Sequence, residues 1–257
     1  MWNGKMKALT FSYDDGVMQD KKLVEIFNKY GLKCTFNINS GMLYNECIWT
    51  TSGVDVIRMT ADECINTFKG HEVAGHSLTH PALANENDYM LEREIVGDKV
   101  NIERIFNEKV YGLALPGGGK DERIENLCKR FDIHYVRNIE STESFDIPKN
   151  LYDLSPTVHH NNENLFELGK KFIETTPEKP QLFYIWGHSY EFDIKNNWDM
   201  FEEFCKMMSE RDDIFYCSNK EALEPFFLIQ TLKSLRNYFK DFILKKYFTE
   251  IFRKIMY

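Results

Sequence analysis

A chain of 257 residues with 43% hydrophobic, 14% aromatic and 28% charged residues can build one large core and has a folded protein's composition. Its formal net charge of −8 argues against nucleic acid as a partner, which needs a basic face. No GxxxxGK(S/T) run is present, and Gly117, Gly118 and Gly119 lack the spacing of a dinucleotide fingerprint.

In chain order, short β-rich runs alternate with helical ones. Strands are expected at 8–13, 33–39, 72–76, 112–116, 134–138, 151–159, 182–188 and 214–218. Helical stretches are expected between them, at 19–30, 85–106, 122–130, 165–175 and 199–209. Strands alternating with helices imply an α/β fold with a mostly parallel sheet. About eight such units in this length give a (β/α) barrel, intact or distorted. Active sites in such barrels form at the C-terminal ends of the strands. Asp14 and Asp15, His76, the turn at 116–119, Arg137, His159 and His160, and His188 all fall at such ends.

Residues 1–224 read as one catalytic domain and 225–257 as a C-terminal extension. The extension carries seven Lys or Arg against Asp241 and Glu250, so it is basic while the remainder is acidic. Leu235, Tyr238, Phe239, Phe242 and Ile243 recur at three- and four-residue spacing, as in an amphipathic helix. Such a helix either packs on the main domain or lies on an anionic membrane surface or a protein partner. The six cysteines, Cys34, Cys47, Cys64, Cys128, Cys205 and Cys217, form no CxxC pair and read as buried free thiols. The opening MWNGKMKALTF carries no signal-peptide pattern, and no apolar run is long enough to span a bilayer. The expected location is cytoplasmic, with the basic helix peripheral to the membrane.

Two motifs carry chemistry. In Thr10-Phe11-Ser12-Tyr13-Asp14-Asp15-Gly16 a β-run ends in adjacent carboxylates, followed by a glycine that lets the chain turn. Neighbouring acids repel, so they need a cation or separate tasks, although Asp-Asp-Gly is also a common turn. In His76-Ser77-Leu78-Thr79-His80-Pro81, imidazoles four residues apart can meet one ion if the segment forms a single helical turn. Two imidazoles and one carboxylate would leave open positions for water and substrate, as catalysis requires. His71, at the start of its strand, reads as structural.

SYDDG followed by HSLTHP resembles the first two motifs of the NodB-homology polysaccharide deacetylases, carbohydrate esterase family 4. The resemblance spans about residues 5 to 220 and implies the distorted barrel of that family. It also implies a divalent metal, Zn²⁺ with Co²⁺ or Ni²⁺ as alternatives, held by Asp15, His76 and His80 beside Asp14 as general base. Ala114-Leu115-Pro116-Gly117-Gly118 is similar to the third motif, with Ala114 where the family has an arginine. Pro116 and Gly117 keep its turn on the substrate side. Arg137, at the end of the next strand, is expected to replace the missing arginine by pairing with Asp14 or with an anionic substrate group.

The apolar strand ending in Trp186-Gly187-His188 resembles the late motif that delivers the family's acid histidine, so His188 is the expected general acid. WGHSYEF, with TVHHNN at 157–162, resembles a cytoplasmic-looking branch of the family. Trp186, Tyr190 and Trp198 are candidates for a sugar platform or for core. His159 and His160 are candidate substrate contacts, of which one at most should point inward, because neighbours on a strand face opposite ways. The implied reaction is deacetylation of an N-acetylhexosamine in a polysaccharide, oligosaccharide or lipid- or nucleotide-linked precursor. Two rivals fit the same residues: an amidohydrolase of small cyclic amides, and a non-catalytic carbohydrate-binding protein that has lost the arginine.

Overall fold

The computed structural model describes residues 1–44, 48–119 and 121–236. Its centre is β1 (Lys7–Asp14), buried along its whole length. Leu9, Phe11 and Tyr13 enter the main hydrophobic cluster, where Phe11 and Tyr13 meet Phe27 and Phe201. The alternate residues Thr10, Ser12 and Asp14 bond instead to Asn219, Asn37 and Arg137. The two-residue period of a strand therefore gives β1 an apolar face and a polar one, and the polar row ends in Asp14.

The other strands are β2 (Cys34–Ile38), β3 (Ile48–Thr51), β4 (Val54–Ile57), β5 (Glu72–Gly75), β6 (Gly112–Ala114), β7 (Tyr135–Arg137), β8 (Val158–His159), β9 (Gln181–Gly187) and β10 (Ile214–Tyr216). Eight of the ten strands form one sheet in the order β7-β6-β5-β2-β1-β9-β8, with β10 also on β1. Every pairing within it is parallel. The sheet is curled into a distorted barrel, as the alternating pattern predicts. The expected long strand at 151–159 is divided. Leu151 and Leu154 bond to β7 through Val136 and Asn138, whereas Thr157 and β8 bond to β9. One short segment thus touches β7 at one edge of the sheet and β9 near the other, and splitting its hydrogen bonds between them leaves only two residues of regular strand.

The helices are α1 (Asp20–Lys29), α2 (Ala61–Thr67), α3 (Asp88–Phe106), α4 (Glu122–Arg130), α5 (Leu165–Glu174), α6 (Tyr190–Lys195) and α7 (Trp198–Met208). Capping fixes several starts: Asn87 accepts from Met90 N–H, and Asp121 from Arg123 N–H. Helix α2, the β3–β4 hairpin and the short α6 lie outside the expected elements. Thr60 and Glu63 form a reciprocal capping box that starts α2. β3 and β4 form an antiparallel hairpin whose turn residues Ser52 and Gly53 have φ of 50° and 79°, as a tight two-residue turn demands.

The chain divides into two units, Met1–Ala222 and Leu223–Tyr257. In the second, residues 223–236 are helical, with Leu228, Ile229, Leu232 and Leu235 exposed. Tyr238, Phe239, Phe242 and Ile243, and likewise Cys47, lie outside the described residues. Cys34, Cys64, Cys128, Cys205 and Cys217 are buried free thiols. Among the described residues no helix is long and apolar enough to cross a membrane.

Candidate active site

Asp14 ends β1, and Asp15 follows it in the left-handed region with φ 82°, its amide donating to Asn37 C=O. That reversal sends the two carboxylates to different partners. Asp14 Oδ1 accepts from Asn37 Nδ2 at 2.8 Å. Arg137 Nη2 donates to both Asp14 oxygens, at 2.6 and 2.5 Å. Arg137 is fully buried, with its guanidinium 4.6 Å from the centre of the Trp186 ring. β7 stands four strands from β1 in the sheet order. In a flat sheet that is roughly 19 Å, so the curl alone brings Arg137 onto Asp14. The position the family fills with an arginine holds Ala114, whose carbonyl accepts from His76 Nδ1 at 2.9 Å. The arginine contact uses one nitrogen on both oxygens, where two parallel hydrogen bonds would have made a fork.

Burial would push the Asp14 carboxyl up, but Arg137, with His76 and His188 beside it, outweighs this and lowers it to about 2. His76 Nε2 lies 3.8 Å and His188 Nε2 3.9 Å from Asp14 Oδ2.

The two motif histidines meet, though not on a helical turn. Residues 76–80 form an irregular turn in which Ser77 and His80 have φ of 64° and 62°. The rings come to 4.9 Å between centroids at 74°. Helix α3 clamps this turn with two buried carboxylates four residues apart. Asp98 accepts from His76 N–H and from Ser40, and Glu94 accepts from the Thr79 amide and hydroxyl. Asn39 donates to the carbonyls of His76 and Ser77. In the sequence, Glu94 and Asp98 lie on the same stripe as Leu91, Ile95 and Ile102. That interruption of an apolar face was the available signal.

Ligand atoms of Asp15, His76 and His80 lie within 4.8 Å of one another. His76 donates through Nδ1, and its buried Nε2 has no hydrogen-bond partner. Burial lowers its pKa to about 4, so the ring is neutral and Nε2 carries a free lone pair. A neutral imidazole oriented by a carbonyl on its far nitrogen is the arrangement of a metal-binding histidine. These residues fit a divalent cation.

A second group, His159, His188 and Glu191, also brings its ligand atoms within 4.8 Å. Here Glu191 partners the histidines: His159 Nε2 at 3.2 Å, His160 Nε2 at 2.9 Å and His188 Nδ1 at 3.3 Å. Burial would raise the Glu191 carboxyl, but the hydrogen bonds from these histidines hold it far below the usual range. For His188, burial favours the neutral ring, and the Glu191 hydrogen bond with the Asp14 and Asp15 charges overcomes it, raising the pKa. Glu191 sits within WGHSYEF, three residues after His188 on the short helix α6, which the sequence reading did not anticipate.

Several expected substrate contacts are corrected. His160 is fully buried, stacked between Tyr13 and Phe192, with Nδ1 in hydrogen-bond contact with the Tyr13 hydroxyl at 3.0 Å. A Cβ on Gly187 would fall 2.1 Å from that ring, so the glycine before His188 makes room for His160. Trp186 and Trp198 are each 8% exposed. Trp186 is packed on Arg137, and Trp198 lies under Lys22 and against Phe192, so neither offers a free platform. His159 and Tyr190 stay partly open, and Tyr190 meets Trp49 of the hairpin edge-on at 5.7 Å. Pro116 is buried, and Gly117 is exposed with φ 67°. His71 bonds to Cys34 N–H and Asn28, a structural role.

A family model of polysaccharide deacetylases matches residues 3–136, more than half of the chain. The chain belongs to the polysaccharide deacetylase family. No curated protein matches its sequence. A Mycobacterium smegmatis protein ascribed to polysaccharide deacetylases shares the fold with a TM-score of 0.63 at 13% identity, covering 89% of this chain and 92% of that one. A family 4 acetyl xylan esterase from Clostridium thermocellum, solved with a cobalt ion, has a TM-score of 0.51 at 13% identity, covering 85% and 91%. The Streptococcus pyogenes deacetylase PplD, in complex with acetate, gives 0.48 at 16% identity, covering 56% of this chain and 61% of its own. The matched region is thus less than two thirds of that protein. At these identities the likeness is one of fold.

Proposed function

We propose that this polysaccharide deacetylase homologue hydrolyses the acetamide of N-acetylated sugars, with a divalent ion held by Asp15, His76 and His80. The observation that carries this reading is the buried, unpartnered Nε2 of His76, converging with Asp15 and His80 beside a separately held carboxylate. Two imidazoles and one carboxylate suit Zn²⁺, and Co²⁺ or Ni²⁺ would accept the same set. Bound there, the ion would polarise the acetyl carbonyl and bring the pKa of water toward about 7.

Asp14 accepts the proton of the attacking water through Oδ2, the oxygen nearest His76 and His188. Arg137 and Asn37 fix that carboxylate and keep it ionised at neutral pH. So low a pKa makes Asp14 a weak base, adequate only for an acidified water. As the C–N bond breaks, His188 gives its Nε2 proton to the leaving nitrogen, so acetate and a free amine depart. Glu191 on Nδ1, with the Asp14 and Asp15 charges, raises the His188 pKa and so favours the acid form for this task. Tyr190 and His159, both partly open to solvent, would touch the sugar.

The test is acetate release from N-acetylhexosamine oligomers and activated monosaccharides by metal-stripped and Zn²⁺-reloaded protein. Release that disappears with the metal and returns with it is expected. Release indifferent to metal, or none from protein that has taken up Zn²⁺, would overturn the reading.

A further inference from the structure

The second aspartate has an arginine of its own. Arg58 follows the β3–β4 hairpin, and its backbone is tied to the turn after Asp15. Val17 and Arg58 form an antiparallel bridge, Met18 N–H donates to Ile57, and Met59 N–H donates to Gly16. This brings Arg58, a residue only 5% exposed, to the carboxylate turn. Arg58 Nη2 donates to Asp15 Oδ1 at 2.8 Å and to Asn39 Oδ1 at 2.9 Å. Asn39 in turn holds the carbonyls of His76 and Ser77. On its other side the guanidinium lies 4.7 Å from the Trp49 ring centre.

The same oxygen is approached twice. His80 Nε2 lies 3.8 Å from Asp15 Oδ1, to which Arg58 is bonded. A cation held by Asp15 therefore shares its carboxylate with a fixed, buried positive charge. Asp14 is thus paired with Arg137, and Asp15 with Arg58. A doubly charged ion entering there meets two carboxylates that each already face a guanidinium. Two consequences follow from Coulomb's law in a partly buried site. The carboxylate is weakened as a donor, which lowers affinity for the ion. The ion is left more electron-poor, which strengthens its pull on a substrate carbonyl.

We propose that Arg58 is a positioning residue that shares the Asp15 carboxylate with the ion and sets the strength of metal binding, trading affinity for electrophilicity. This inference rests on Asp15, His76 and His80 holding the ion. Its test compares wild type with Arg58→Gln, Arg58→Met and Arg58→Lys, each stripped of metal and titrated with Zn²⁺ against a chromogenic chelator.

Arg58→Gln drops the charge and keeps an amide donor for Asp15, so it should bind Zn²⁺ about tenfold tighter while kcat falls severalfold at unchanged KM. Arg58→Lys keeps the charge and should stay within about twofold of wild type in affinity. Arg58→Met separates packing from hydrogen bonding and should still bind at least as tightly as wild type. Unchanged or weaker affinity in Arg58→Gln would overturn the proposal and leave a structural ion pair that lowers Tm alone. Should neither neutral variant fold, a tenfold change in Arg58→Lys would overturn it equally. Wild-type protein that takes up no Zn²⁺ would overturn the metal reading itself, a different failure from unaltered binding in the variants.

Discussion

Two clusters of histidines face each other across Asp14, and the same residue types are left in opposite states. On the β5 side, His76 is neutral, its far nitrogen is occupied by the Ala114 carbonyl, and its near nitrogen has no partner. On the β9 side, one carboxylate, Glu191, partners His159, His160 and His188, and the His188 pKa is raised. Lone pairs left free suit a cation, whereas a ring whose acid form is favoured suits proton delivery. Composition does not separate the clusters. What separates them is which nitrogen is already bonded, and to what.

The largest effect should come from removing the free lone pair. His76→Ala should abolish Zn²⁺ uptake and take activity to background, measured by equilibrium dialysis and acetate release. Uptake at wild-type affinity would erase the contrast between the two clusters. Asp14→Asn comes next: metal should still bind, while kcat falls by roughly 10²-fold or more. Full turnover in that variant would exclude Asp14 as the base.

Glu191→Gln tests the other cluster, with a loss in kcat of roughly tenfold. It should also show a signature that a packing residue would not give. The Glu191 charge helps raise the His188 pKa, so its removal lowers that pKa and depletes the acid form sooner as pH rises. The alkaline limb of the kcat profile should therefore move to lower pH, and an unmoved limb would detach Glu191 from His188.

The smallest effect concerns Asp20, a buried carboxyl behind Ser189 whose pKa burial raises from 3.8 to about 8. Between those values the folded state keeps a proton that the unfolded chain releases, so stability falls as pH climbs toward about 8. Asp20→Asn carries no such proton, so the Tm of metal-free protein should decline less over that range than in wild type. Parallel Tm curves for the two proteins would show that Asp20 is ionised at neutral pH.

Much of this was legible in the chain. Seven of the eight expected strands are present, because alternation and buried apolar runs are local properties. The period-two row of Thr10, Ser12 and Asp14 likewise announces a polar barrel interior. The hairpin and α2 carried readable signals too, a Ser-Gly turn and a Thr60–Glu63 box. Asp15, His76 and His80 could be grouped from two motifs. Their meeting through left-handed residues in place of a helical turn could not, because the side chains that bond this turn, Glu94, Asp98 and Asn39, come from elsewhere in the chain.

The sequence by itself determined the alternating α/β pattern, the family and the residues at the strand ends, since each follows from neighbours a few positions apart. Only the tertiary structure decided that Arg137 pairs with Asp14 while Ala114 offers its carbonyl to His76. It alone seated Arg58 on Asp15, gathered three histidines on Glu191 and withdrew His160, Trp186 and Trp198 into the interior. Those outcomes depend on the curl of the sheet and on which polar atoms find partners once water is excluded. They are contacts between positions as far apart as Asp14 and Arg137, where no local pattern constrains the pairing.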